Sequence, residues 1–160
     1  IKRQWRDSPL RSEPLATTYT SDVVYHEIGV DDGTTNPPSP IVSYVQSSDF
    51  DIGDGYNFGF VWRIIPDVSF DGSTVAAPAL DFTVRPRQFP GSGYGNSNNP
   101  AVISAVSYAG QRTYNVQQFT EQVNVRLRGR QMAFRVGSTT LGTQWQLGVP
   151  RIEVRSDGRK

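Results

Sequence analysis

Asp49, Asp51 and Asp54 stand close together in the stretch Ser47–Gly55 (SSDFDIGDG), the one acidic cluster of the 160-residue chain. Carboxylates at near-alternate positions beside glycines suit a calcium loop, because that cation takes six or more oxygen ligands from a chain that doubles back around it. The match to an EF-hand loop is imperfect. Gly53 occupies a position that wants Asp or Asn, Asp54 one that wants glycine, and no glutamate follows at the closing position. A turn whose aspartates accept hydrogen bonds from their own backbone explains the same residues more simply. With Asp67, these carboxylates could also supply the facing pair that glycoside hydrolysis needs, but aspartate beside glycine is what turns ordinarily contain.

Other catalytic chemistries have less to work with. His26 is the single histidine, so no two- or three-histidine metal site can form. It sits between Tyr25 and Glu27 in a strand-like run, where a packed histidine is expected. No Gly-x-Ser-x-Gly elbow presents a serine to it. Cysteine is absent, which removes disulfides, thiol nucleophiles and thiolate metal sites. Gly91–Gly95 (GSGYG) lacks both the phosphate-loop lysine and the dinucleotide spacing. The sequence therefore points to no cofactor, no small-molecule substrate and no catalysis.

The second cluster is basic. Arg126, Arg128, Arg130 and Arg135 gather within ten residues, and at alternate outward positions such arginines can follow a phosphate backbone, with Tyr108 or Tyr114 stacking on bases. Net charge is only +1, but residues 1–110 carry 7 basic and 12 acidic side chains, whereas residues 111–160 carry 9 basic and 3 acidic. Lysine occurs only at positions 2 and 160, so nearly all the positive charge is arginine, the side chain suited to forked ion pairs at interfaces. A near-neutral, lysine-poor chain argues against a dedicated nucleic-acid binder. The preferred expectation is an interface in which Arg126, Arg128 and Arg130 meet Asp49, Asp51 and Asp54, on a neighbouring subunit or across the same fold.

The elements that must hold these side chains read as strands. Leu80, Phe82 and Val84 alternate with Asp81, Thr83 and Arg85, the period-2 mark of a half-buried strand. Val123, Val125 and Leu127 do the same, then Met132, Phe134 and Val136. Only Arg128–Gln131 separates these two runs, which predicts a hairpin over Val123–Val136 with Gly129 at the turn. Trp145, Leu147, Val149, Ile152 and Val154 predict a final strand or pair kinked at Gly148–Pro150. Val23–Ile28, Ile41–Gln46 and Phe58–Ile65 are further candidates, the last apolar on both faces and so central. Loops rich in turn formers lie between, at Asp31–Pro40, Asp51–Gly55, Asp71–Pro78 and Phe89–Pro100. About eight short strands of this kind predict an all-β fold, an antiparallel β-sandwich or distorted barrel with long loops. Residues 21–160 are expected to form that one domain, and residues 1–20 an extended arm or interdomain linker. The sequence contains no apolar run long enough for a transmembrane helix, and no signal segment opens it.

Three stretches together resemble the C-terminal part of large virion structural proteins of tailed bacteriophages. They are Tyr25–Asp32 (YHEIGVDD); Tyr44–Gly55 (YVQSSDFDIGDG) running on to Arg63–Asp67 (RIIPD); and Arg128–Arg135 (RGRQMAFR) with Trp145–Gly148 (WQLG) and the ending Arg151–Lys160 (RIEVRSDGRK). The resemblance covers residues 22–160. It implies a tail-tube or tail-nozzle component, located in the virion, in a ring of identical subunits around the channel through which DNA leaves. The partners it implies are further copies, other virion proteins and passing contact with DNA. Longer proteins of this kind carry further β domains upstream, and together with a start at Ile1 this gives the expectation of a C-terminal piece of a longer protein. The rival from another class is a carbohydrate-binding or glycan-processing β module, gripping sugar through Trp62, Trp145 or Tyr94.

Overall fold

The computed structural model describes residues 2–6, 14–25, 28–33, 35–91 and 111–158. His26, Tyr94, Tyr108 and most of the Phe89–Pro100 loop lie outside these residues. Among the described residues the chain is all-β and antiparallel. The strands are β1 (Lys2–Arg6), β2 (Leu15–Thr18), β3 (Val23–Tyr25), β4 (Ser43–Gln46) and β5 (Phe50–Asp51). Then come β6 (Gly59–Ile65), β7 (Val68–Ser69), β8 (Ala79–Arg87) and β9 (Arg112–Gln117). The last four are β10 (Val123–Gly129), β11 (Gln131–Ser138), β12 (Gln146–Leu147) and β13 (Arg151–Ser156).

Two sheets enclose the core. One runs β10-β6-β13, and the other β4-β11-β8-β9 with β5 also paired to β11. The alternation seen in the sequence sets which side chains face between them. Val123, Val125 and Leu127 from β10 and Val61 and Ile64 from β6 pack with Leu80, Phe82 and Val84 from β8 and Met132, Phe134 and Val136 from β11. Removing such side chains from water is the main stabilising term of a sandwich of this size. β6 is central, as its two-sided apolar character predicts. A short β7–β12 pair lies beside these sheets in sequence, and β1-β2-β3 form a sheet of their own, so strand pairing runs through the expected boundary at residue 20.

The hairpin expectation is corrected. β10 pairs with β6, β11 pairs with β8, β4 and β5, and the two strands belong to opposite sheets. Arg130 alone links them, its N–H donating to the Arg87 carbonyl at 2.8 Å. A short connection between two alternating runs ordinarily signals a hairpin. Here each strand has a better partner elsewhere, and the connection carries the chain over the edge of the core. Arg135 is thereby separated from Arg126 and Arg128, with its guanidinium over the Tyr44 ring at 4.0 Å on the other sheet.

A register irregularity affects the outer face of the β10-β6-β13 sheet. Pairing slips by one residue on both sides of β6, between Asn124 and Leu127 and between Glu153 and Val154. Trp62 and Arg63 consequently sit side by side between the inward residues Val61 and Ile64, both half-buried, as a bulge allows.

Candidate functional site

The acidic loop and the arginine segment are neighbours within one fold. β5 runs beside the start of β11, placing Asp51 opposite Gln131, and the Ile52 N–H donates to the Arg130 carbonyl at 2.7 Å. The carboxylates are divided among separate tasks. Asp49 Oδ2 pairs with Arg87 at 2.9 Å, and Asp51 Oδ1 accepts from the Gln131 amide at 2.9 Å. Asp54 closes a turn: Oδ1 accepts the N–H groups of Tyr56 and Asn57 at 3.0 Å each, and Oδ2 accepts the Asn57 side-chain amide at 3.0 Å. Gly53 and Gly55, with φ of 75° and 70°, supply the left-handed backbone of that turn. Asp67 is tied to the segment before β13, accepting the Val149 N–H at 2.8 Å. No three metal-ligating side chains come together among the described residues.

The Asn57 backbone N–H, then those of Tyr56 and the Asn57 side chain, hold the Asp54 carboxyl below the ordinary aspartate range. A depressed carboxyl contributes stability that is present above its unfolded value, about 3.9, and is lost as pH falls through the lower folded value. Asp54→Asn should therefore flatten the acid limb of the stability curve below about pH 4 relative to the parent. Thermal melts of both proteins across that limb check this, and parallel curves would remove the turn's role.

The basic residues are organised differently from the sequence expectation. β10 alternates strictly, so Arg126 and Arg128 are exposed on the outer face of the β10-β6-β13 sheet. Arg128 forms an ion pair with Asp157 and also donates to its carbonyl oxygen at 3.2 Å. Its guanidinium lies 4.0 Å from the centroid of the Phe58 ring, with that of Arg130 at 4.7 Å. Arg63 forms an ion pair with Glu153, donates to Gln122 at 3.1 Å and stacks on Trp62 at 4.6 Å. Arg155 meets the same Trp62 ring at 4.7 Å. Arg126, Arg151 and Arg155 have no ion-pair partner among the described residues.

The feature the sequence reading missed is aromatic. Phe58, Phe60 and Trp62 alternate with the buried Gly59 and Val61, so the three rings share the outward side of the central strand. Their i, i+2, i+4 spacing was present in FGFVW, where the neighbouring apolar residues made it read as two-sided burial. Tyr114, by contrast, is partly buried against the core on β9, away from these arginines. The tryptophans considered for sugar binding do not share a platform. Trp145 packs against the core and donates to Ser43 of β4 at 2.9 Å, whereas Trp62 lies on the opposite sheet. No helix of the described residues is long and apolar enough to cross a membrane. Neither a protein-family model nor a curated protein matches the chain.

Proposed function

We propose that the chain is a structural subunit of a bacteriophage virion, of the tail-nozzle or tail-tube type, that assembles with its own copies into a ring and acts through contacts and not through catalysis. The virion part rests on the resemblance of residues 22–160 to the C-terminal part of such proteins. The assembly part rests on one observation. Val23, Tyr25, Ile28, Ile41, Val42, Tyr44 and Val45 are between 47% and 67% exposed, within a short span that includes the edge strand β4. An exposed apolar edge strand is a pairing hazard unless something covers it, and a neighbouring subunit is the cover an assembly supplies.

Charge has the smaller share in this reading. Arg87–Asp49 and Arg128–Asp157 are satisfied within the fold, and exposed pairs contribute only about 0–1 kcal/mol each. Arg126, Arg128 and Arg130 facing Asp49, Asp51 and Asp54 of a neighbour would chiefly steer encounter and set register. Sedimentation and electron microscopy of the purified chain test the proposal. Closed rings that form with rising concentration are expected, and Ile41→Glu with Val42→Glu should leave a folded monomer. A chain that stays monomeric at high concentration and binds one glycan selectively, with loss on Trp62→Ala, would instead establish the carbohydrate-binding alternative.

A further inference from the structure

The outer face of the β10-β6-β13 sheet carries an arrangement that goes beyond the ion pairing proposed for Arg126 and Arg128 at a subunit contact. Down its middle run Phe58, Phe60 and Trp62, successive rings about 6.7 Å apart by strand geometry. On either side lie arginines: Arg126 and Arg128 on β10, Arg151 and Arg155 on β13, in rows about 10 Å apart across the central strand. With Arg63, the three strands present five arginines here, and Arg130 adds a sixth guanidinium over Phe58, against two carboxylates among the described residues, Glu153 and Asp157. The near-zero net charge of the whole chain conceals this local excess.

The rings are not equivalent. Phe58 and Trp62 each have two guanidiniums stacked over them, which pins four arginine side chains in place. Phe60 lies between them, half-buried, with Arg128 as its cross-strand partner on one side and Arg155 on the other. Those two arginines lean toward Phe58 and Trp62, so no guanidinium among the described residues stacks on the Phe60 ring.

We propose that this face is a platform for single-stranded nucleic acid, with a base stacked on Phe60 and phosphates met by Arg126, Arg151 and Arg155. Three observations select this ligand class. The unpaired arginines call for an anion, and their placement in two rows calls for an extended one. The Phe60 ring, left without a stacked guanidinium of the described residues between the rows, has no use for an acidic peptide or a sulfated glycan, whose charges carry no aromatic face. A duplex hides its base faces in the stack and would engage the arginines only. Aromatic side chains on a central strand flanked by basic ones are the general means by which sheets hold unpaired bases.

Fluorescence anisotropy of a labelled oligothymidylate titrated with the full chain tests this. Competition by an unlabelled duplex of equal length, by heparin and by polyglutamate completes the experiment. The single strand should bind at low ionic strength and be displaced poorly by all three competitors. Phe60→Ala should weaken binding about tenfold with the salt dependence unchanged, because it removes stacking and no charge. Phe60→Leu, which keeps the apolar volume, should show the same loss and excludes a folding defect. Arg126→Gln with Arg155→Gln should reduce the log–log salt slope by about 1.4, as expected for two phosphate contacts on a single strand. Equal displacement by heparin, polyglutamate or duplex, or a Phe60→Leu variant that binds like the parent, overturns the proposal. Absence of binding at low ionic strength does so as well.

Discussion

Phe82→Ala is expected to lower the unfolding free energy by about 3–5 kcal/mol, the largest loss of any single truncation argued for this chain. Phe82 is fully buried on β8, the strand that pairs with both β11 and β9. Its ring meets Phe134 edge-on, with centroids 5.2 Å apart and planes at 66°, an arrangement that adds about 0.5–1.5 kcal/mol beyond burial. Truncation removes the ring from water-free surroundings built from both sheets, so no single segment can move in to close the cavity. A single domain has about 5–15 kcal/mol in total, so the variant should be close to unfolding at room temperature. Urea unfolding of parent and variant measures this, with an unchanged slope showing that only stability has altered. Thr83→Ala is the internal control. Thr83 shares β8 but lies on the opposite side of the strand from Phe82, where it is buried too and its hydroxyl shares a hydrogen bond with that of Thr113 at 3.0 Å, so its loss should be about 1 kcal/mol. If Phe82→Ala costs no more than Thr83→Ala, the core does not sit where the two sheets place it.

The same strands show what a sequence can reveal here. Alternation identified the inward sides of β8, β10 and β11 residue by residue, because a side chain's face depends only on strand parity and the need to bury apolar groups. Partner choice depends on the rest of the molecule. Nothing in Val123–Val136 says that β10 will prefer β6 over β11, and the short connection argues locally for the wrong answer. β9 went unread for a different reason. In RTYNVQ only Val116 is buried, because β9 is an edge strand with little to hide. The candidate sites divide along the same line. The turn role of Asp54 was legible, since it uses backbone within three residues. The platform of Phe58, Phe60 and Trp62 was not, because it depends on which strands flank β6 and on the slip that sets Trp62 beside Arg63.

Gly129→Ala is expected to destabilise the chain by about 1–3 kcal/mol, for a reason that follows from the corrected topology. Had Gly129 closed a two-residue hairpin, it would need the left-handed backbone that such turns demand. It does not adopt that conformation, so alanine carries no conformational penalty there. What it would meet is crowding. A Cβ at this inward position would lie 2.9 Å from the Arg87 carbonyl oxygen, 3.0 Å from that of Gln131 and 3.1 Å from Pro86 Cβ. Two of these atoms are backbone, and the Arg87 oxygen already accepts the Arg130 N–H that anchors the crossing between sheets, so it cannot withdraw without loosening that bond. Relief must come from moving β10 and β11 apart, which opens the core at Leu127 and Met132. Gly91→Ala offers the contrasting case, since at φ 83° a Cβ would meet nothing within 4 Å and the cost would be conformational alone. Hydrogen exchange separates the two mechanisms. Gly129→Ala should speed exchange at Arg130 and Ile52, the two amides that stitch the crossing, whereas Gly91→Ala should leave both protected. Unchanged protection at those amides, together with a loss below about 0.5 kcal/mol, would mean that the crossing has slack and that a true hairpin turn is the better account of Gly129.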